Sequence, residues 1–354
     1  MKQPKRKNKI RRGRGFAKKC SQKSLTIIGN NSAGIKSKKD SLQNLIKQLS
    51  PGVGVVMLQE TKLYKKGSIK FKDMCVFEQL RGVNEGGGLM TLVHENLKPV
   101  QIPMKTTSKM SENMLVVEGI IGKIKVRFLN AYGVQENASL EERSEFYALL
   151  DQEIHNCMNE GILLCMELDA NAKVGNIIEN NPHEEISPNG RLLLDILDRN
   201  NLILVNGTSK CIGKITRTRS SKKREEKSIL DYFVVCEGFF QLIQKMHIDE
   251  EGKYVLTKHS KVKGKVKVTK SDHNPLYLII DLPWETRLVK PRVEIFNLRN
   301  IECQANYLEY TNNSNILTQC LINRDIKVGG KLWLKNMNFI IHSNFRKIRM
   351  MGKV

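Results

Sequence analysis

The sequence predicts a mixed α/β fold, with two packed β-sheets flanked by helices, across Ser24 to Leu282. Three observations point to it: apolar runs of strand length recur along this region, amphipathic helical segments interrupt them, and no fixed repeat appears that would indicate a solenoid.

The elements follow in order. "SLTIIGNN" reads as a strand ending in Asn30 and Asn31, and "KKDSLQNLIKQL" as an amphipathic helix after Gly34. In "GVGVVMLQETKL" the apolar residues Val55 to Leu58 run directly into Gln59 and Glu60. "GGGLMTLVHENL" is a strand opened by glycines, and "MLVVEGIIGKIKVRFLNAYG" is a hairpin turning near Gly122 and Lys123. Ser139 and Glu142 make a capping box at the head of the helix "LEERSEFYALLDQEIHNCM". Next comes the strand "GILLCMELDANAKVG", then a helix in "NGRLLLDILDRNN" and a strand in "LILVN". "KITRT" and "SILDYFVVC" read as two strands with a basic loop between them, and "SDHNPLYLIIDL" is the last strand. Two closely spaced prolines and a run rich in Asn and basic residues then place a boundary near Pro283, with a helical tail over 283–354.

Charge narrows the partner. The chain of 354 residues carries 59 Lys and Arg against 36 Asp and Glu, a formal charge of +23, which favours a polyanion such as nucleic acid over a membrane surface. Met1 to Lys23 holds eleven of these cations and no acid, and reads as a disordered arm, for import or for DNA contact. Lys258 to Lys270 holds six lysines and no acid, and reads as a solvated loop. The eight cysteines contain no Cys-x-x-Cys pair and read as reduced, largely buried thiols. With no apolar run of about 18 residues and no signal-type segment, the expectation is a soluble protein of the nucleus or cytoplasm.

The chemistry-bearing residues share a position. Asn31, Glu60, Tyr132 and Asp169 each lie at or just past the exit of an apolar strand, while Asp272 and His273 stand just before one. If the last strand runs antiparallel to the others, all of them gather on one edge of a sheet. Asp169 and Asn171, two apart in an extended chain, point the same way and could hold a metal or a water, although Asp-Ala-Asn is also a good turn sequence. A set of oxygen-rich groups with one imidazole suits Mg²⁺ or Mn²⁺ better than zinc.

The pieces "NSAG", "LQETKL", "YGVQ", "LDANA", "ILDYF" and "SDHNPL", in this order, resemble the endonuclease/exonuclease/phosphatase superfamily, which includes pancreatic DNase, the abasic-site endonucleases and the endonuclease domains of non-LTR (LINE-type) retrotransposons. The last of these is the nearest match. The resemblance spans about Ser24 to Leu282 and implies a four-layered, pancreatic-DNase-like α/β sandwich. It also implies a metal site formed by Asn31, Glu60 and Asp272, and Tyr132, Asp169, Asn171, Asp231 and His273 as catalytic residues. Asp169 would orient or deprotonate water, Asn171 would hold the phosphate or that water, and His273, its ring fixed by Asp231, would contact the phosphate or assist proton transfer. Tyr132 would serve the phosphate or the leaving group. The family usually has glycine where Leu168 stands, so the expectation is that Leu168 crowds Asp169 and that Leu168→Gly leaves activity unchanged or raises it.

The function implied is a divalent-metal-dependent DNA endonuclease that nicks one strand, with RNA as the alternative nucleic acid. "RVEIFNLRN" and "NFRKIRM" resemble the linker into a reverse transcriptase, as in a longer parent polyprotein. The competing readings are a phosphatase or phosphodiesterase of the same fold acting on RNA, phosphoinositide or lipid, and a decayed, non-catalytic nucleic-acid-binding module.

Overall fold

A computed structural model describes residues 21–22, 24–49, 52–81, 87–179, 181–220, 225–262, 265–282 and 284–285. The expected basic arm, apart from Ser21 and Gln22, and the expected tail, apart from Trp284 and Glu285, lie outside the described residues.

A two-residue ladder joins strand β1 (Ser21–Gln22) to the last strand, at Trp284–Glu285. Trp284 is buried, donates from its indole nitrogen to the Ser24 carbonyl at 2.8 Å and meets the His94 ring edge-on. These anchors tie to the domain a short stretch that charge and proline content assign to its flanks.

Six strands follow in sequence: β2 (Leu25–Asn31), β3 (Val53–Gln59), β4 (Met74–Gln79), β5 (Leu89–His94), β6 (Val100–Ile102) and β7 (Met114–Ile121). After β8 (Ile124–Tyr132) and β9 (Leu163–Asp169) come β10 (Leu202–Leu204), β11 (Cys211–Ile212), β12 (Arg217–Ser220), β13 (Glu225–Ser228) and β14 (Asp231–Cys236). The series closes with β15 (Ile243–Ile248), β16 (Thr257–Val262), β17 (Lys265–Lys270), β18 (Leu276–Ile280) and β19 (Trp284–Glu285).

Two large mixed sheets result, ordered β11-β15-β18-β2-β3-β5-β4 and β10-β14-β9-β8-β7-β6. Their facing surfaces pack Leu25, Ile27, Val55 and Met57 of the first against Phe128 and Cys165 of the second, all fully buried. The outer face of the first sheet carries Ile28, Val56 and Leu58, which form a second core with Leu42 and Leu45 of helix α1 (Lys39–Gln48). The second sheet is covered by helices α2 (Leu140–Asn159) and α3 (Pro188–Arg199), which bury Phe146, Leu150, Ile154, Leu193 and Ile196. Helix, sheet, sheet, helix is the predicted four-layered sandwich. Ser139 and Glu142 form the expected reciprocal capping box on α2.

The two basic segments depart from expectation. Lys258–Lys270 is not a loop: β16 and β17 pair antiparallel over six residues each as a separate two-stranded ribbon. After "KITRT", Arg217–Ser220 and Glu225–Ser228 pair as β12 and β13, and residues 221–224 between them lie outside the described residues. Lysine and arginine conceal the period-2 alternation of "KVKVTK" and "TRTRS" from a reading based on apolar runs. Among the described residues no helix is long and apolar enough to cross a membrane, and Cys157, Cys165 and Cys236 are buried free thiols.

Candidate active site

Strands β2 and β3 run parallel, as do β8 and β9, whereas β18 is antiparallel to β2 and β14 to β9. The exits of β2, β3, β8 and β9 therefore share one end of the sandwich with the starts of β14 and β18. The candidate residues gather there on two sheets, not along one edge of one sheet as predicted. The sheets join at this end, because Asn31 Nδ2 donates to Asp169 Oδ2 at 2.7 Å.

Glu60 leaves β3 with φ +46°, a left-handed conformation that a residue with a Cβ adopts rarely. Its neighbours hold it there. The Glu60 carbonyl accepts from Gly34 N at 2.7 Å, and the next two amides, Thr61 and Lys62, donate to the carbonyls of Gly88 and Gly87. So aimed, the Glu60 carboxylate accepts from the Tyr132 hydroxyl at 2.8 Å and pairs with Lys62 Nζ at 3.1 Å. Burial opposes its charge, but Tyr132, Lys62 and Asn31 outweigh that and hold its pKa below the usual carboxylate value. Burial, with the charges of Asp169 and Glu60, raises the Tyr132 pKa far out of reach, so its hydroxyl stays a donor.

Asp169 ends β9 fully buried. Its Oδ1 accepts from Asn171 N at 3.3 Å, closing a turn in which Asn171 takes φ +46° and donates from its side chain to the Gly133 carbonyl at 2.8 Å. Gly133 donates to the Asp169 carbonyl at 2.7 Å, and a Cβ there would lie 2.3 Å from the Ala170 oxygen, so "YGVQ" needs its glycine to bring Tyr132 beside Asp169. The turn reading of "DAN" holds and the extended one does not: with Asn171 left-handed and its side-chain nitrogen on the Gly133 carbonyl, Asp169 and Asn171 do not stand as residues i and i+2 of a strand. Burial and the Asp231 charge push the Asp169 pKa up to about 7, partly offset by His273 and the Asn31 bond.

His273 Nδ1 lies 2.9 Å from both oxygens of Asp231. Burial alone would lower its pKa, but the charges of Asp231, Asp169 and Asp272 raise it to about 9. The segment before it is pinned: Ser271 Oγ donates to the Asn31 carbonyl at 2.8 Å and accepts from His273 N. Thr216 Oγ1 accepts from the amides of Leu230 and Asp231, fixing the other member of the pair. Asp272 accepts from Arg217 Nε at 2.9 Å; burial raises its pKa less than His273 and Arg217 lower it.

Beneath this end lies a polar layer that the sequence pattern did not predict. Gln59, Asn130 and Glu167, all fully buried, stand one or two residues before Glu60, Tyr132 and Asp169. Gln59 Nε2 donates to Asn130 Oδ1 at 2.7 Å and to Glu167 Oε2, while Asn130 Nδ2 donates to the carbonyls of Leu58 and Met90. Burial and the Asp231 charge raise the Glu167 pKa well above the carboxylate range, so it is a neutral acid. A Cβ on Gly29 would meet Glu167 Cγ at 2.3 Å, so the glycine leaves the room that Glu167 fills. Lys38 is a second unpredicted member: its buried amine donates to the Ser32 carbonyl, and burial followed by the nearby charge of Lys62 lowers its pKa to about 8. Only the Gln59–Glu60 doublet at the exit of β3 hinted at this layer.

Two sets of side chains could hold a cation. Among the described residues, the cluster with ligand atoms within 4.8 Å of one another is Asp169, Asp231 and His273. Its members are already committed, Asp231 to His273 and Asp169 to Asn31. Asn31, Glu60 and Asp272, the expected ligands, offer oxygen atoms that are likewise engaged, Asn31 Oδ1 by Ala33 N, Glu60 by Tyr132 and Lys62, and Asp272 by Arg217. That donor set fits a hard divalent ion.

Leu168 does not crowd Asp169. Alternation turns it to the opposite face, where it is fully buried in the core and pairs in register with Tyr232.

No protein-family model and no curated protein matches the sequence. Solved structures do. The endonuclease domain of TRAS1, a telomere-specific non-LTR retrotransposon, superposes with a TM-score of 0.54 at 18% identity, covering 75% of this chain and 100% of that one. An AP endonuclease from Leishmania major gives 0.54 at 14% identity over 73% of this chain and 88% of that one. A 3′ phosphatase from Neisseria, bound to a product DNA hairpin, gives 0.53 at 15% identity over 72% and 99%. The likeness is one of fold: this chain has the same pancreatic-DNase-like α/β sandwich as these solved structures.

Proposed function

We propose that the chain is a divalent-metal-dependent DNA endonuclease that hydrolyses one phosphodiester bond and so nicks a strand, as a retrotransposon-type endonuclease does. The observation that carries this reading is the convergence of a buried Asp231–His273 pair, Asp169 held by Asn31 and Asn171, and Glu60 held by Tyr132, at the shared end of two sheets. Asn31, Glu60 and Asp272 would hold Mg²⁺ or Mn²⁺, which supplies charge neutralisation at the phosphoryl and leaving oxygens.

The chain's own groups divide the remaining work. Asp231 occupies Nδ1 of His273, so the imidazolium presents Nε2 to a phosphoryl oxygen and balances its charge. Asp169, with a pKa raised to about 7, takes the proton of the attacking water near neutral pH. Asn31 and the Asn171 amide fix its rotamer, and Tyr132, whose proton is secure, gives that one proton to Glu60 and so orients its carboxylate. The net charge of +23 favours nucleic acid over inositol phosphates.

The test is a substrate panel of supercoiled plasmid, single-stranded RNA, a 3′-phosphorylated oligonucleotide and an inositol phosphate, each with Mg²⁺ and with chelator. Open-circle plasmid formed only with the metal, ahead of the other reactions, is the expected result. Faster release of inorganic phosphate would make the chain a phosphatase of the same fold. DNA binding with no hydrolysis of any substrate would make it a binding module.

A further inference from the structure

Lys38 has no part in the chemistry described above, and its place in the fold does not favour a lysine. It ends the short 3-10 turn Lys36–Lys38 and stands at the N-cap of α1, where its side chain makes no capping bond. Serine, threonine, aspartate and asparagine cap helices there, and a cation opposes the positive end of the helix dipole. Nor is this a surface lysine, since it is 3% exposed. Among the described residues its amine bonds to main-chain carbonyls alone, with Nζ donating to Ser32 O at 2.5 Å and, more weakly, to Ala33 O at 3.5 Å. A buried ammonium without a carboxylate in contact is costly, so neither helix capping nor solubility accounts for it.

The two carbonyls belong to the turn that follows β2. Ala33 takes φ +43° and Gly34 φ +96°, two left-handed residues in succession, of which the first carries a Cβ. Backbone bonds strap this turn to the exit of β3: Ser32 N donates to Gln59 O, Gly34 N to Glu60 O and Ile35 N to Thr61 O. Ser32 Oγ adds bonds to the Gln59 and Glu60 carbonyls. The remaining amide, Ala33 N, donates to Asn31 Oδ1 at 3.1 Å. That bond decides which way the Asn31 amide faces. With the oxygen held by Ala33 N, the nitrogen is left to donate to Asp169 Oδ2 at 2.7 Å, whereas a reversed amide would set oxygen against carboxylate.

We propose that Lys38 is a positioning residue for the candidate active site: its ammonium, by holding the Ser32 and Ala33 carbonyls, keeps Ala33 left-handed and so keeps the Asn31 amide turned with its nitrogen on Asp169. Lysine suits the task because its compact head carries three N–H donors and can serve two carbonyls at once. The head keeps its proton at neutral pH, since the pKa, lowered by burial and then by the charge of Lys62, is still about 8. Lys38 therefore acts through Asn31 and touches neither substrate nor water. This inference rests on the nuclease reading for the work that Asn31 does, but one arm of its test needs no cleavage.

The test is a double-mutant cycle on the full chain, with the parent, Lys38→Met, Asn31→Ala and the double variant. Methionine keeps the buried stem and removes the donors; if that variant does not fold, Lys38→Gln takes its place in the cycle. In plasmid nicking with Mg²⁺, Lys38→Met is expected to lower kcat by about tenfold or more while KM stays at the parent value. In the Asn31→Ala background the same substitution should cost less than about twofold, because the residue it acts through is gone. Hydrogen exchange of the metal-free chain is the second arm: amides of residues 31–34 should exchange faster in Lys38→Met than in the parent, with those of β9 unchanged. An equal loss of kcat with and without Asn31 would overturn the proposal, as would a rise in KM alone or parent-like exchange in the turn. If the parent never nicks, exchange decides by itself: faster exchange confined to the turn leaves Lys38 as the residue that holds Asn31 while the nuclease reading falls, and unchanged exchange removes both.

Discussion

Asp169 and His273 carry opposite charges in one buried space, and their proton affinities make stability depend on pH. The Asp169 pKa rises from 3.8 to about 7 and that of His273 from 6.5 to about 9, so the native chain holds more protons than the unfolded one across both windows. Stability contributed by the Asp231–His273 pair is complete below 6.5 and is lost as pH rises through about 9. Asp169 adds a second fall between 3.8 and about 7. Thermal melts of the metal-free chain and its variants check this: the parent-minus-His273→Ala difference should shrink from pH 6.5 to 9, and Asp169→Asn should gain on the parent from pH 4 to 7. A second residue-scale expectation concerns Glu167. As a neutral acid it is matched by glutamine, so Glu167→Gln should lie within about 1 kcal/mol of the parent, while Glu167→Lys, an unpaired charge in the core, should cost several kcal/mol in urea titrations. The site candidates were legible because Asn31, Glu60 and Asp169 stop apolar runs, a pattern visible without coordinates. Glu167 and Lys38 were not, since inside an apolar run or on a lysine-rich turn nothing in the residue type reveals burial or a partner.

At the scale of elements, strand alternation decides the fate of Leu168. The expectation that glycine there would leave activity unchanged or raise it rested on crowding, and the side chain instead fills the core between sheet and helices. Leu168→Gly should therefore destabilise the chain by about 3–5 kcal/mol, from the cavity and the added backbone freedom, read as a lower urea midpoint. Strands with long apolar runs, such as β2, β3 and β9, were readable, as were α2 through its capping box and the turn at Gly122, where φ is +63°. Strands β4, β6 and β15 were missed. "MCVFEQ" and "IQKMHI" mix polar and apolar residues because each has one side facing outward, and the three residues of β6 are too few to show a period. β13, β16 and β17 were missed for the same reason in stronger form, since their residues are mostly charged or polar.

For the whole molecule, the decisive feature is that two sheets end together. Neither sheet alone contains the site: Asn31, Glu60 and His273 belong to one, and Tyr132, Asp169 and Asp231 to the other, with Asn31 Nδ2 to Asp169 as the bond across. Sequence order showed which strand ends bear the candidate residues and, with an antiparallel last strand, that they gather at one edge, but not that the edge is shared by two sheets. The pairing of sheets could not be read from local pattern, because it depends on residues far apart in the chain, such as Gln59 with Glu167. A shared site implies that its members act as a unit, so losses should not add: the Asp169→Ala/His273→Ala double variant should be little slower than either single one. The most direct test is the rate of supercoiled-plasmid nicking in Mg²⁺ by the parent and by Glu60→Gln, Asp169→Ala and His273→Ala. The parent is expected to nick, and each variant to lose about 10²–10⁴-fold while binding the plasmid as the parent does. Parent-level nicking by all three would contradict the assignment of this end of the sandwich as the active site.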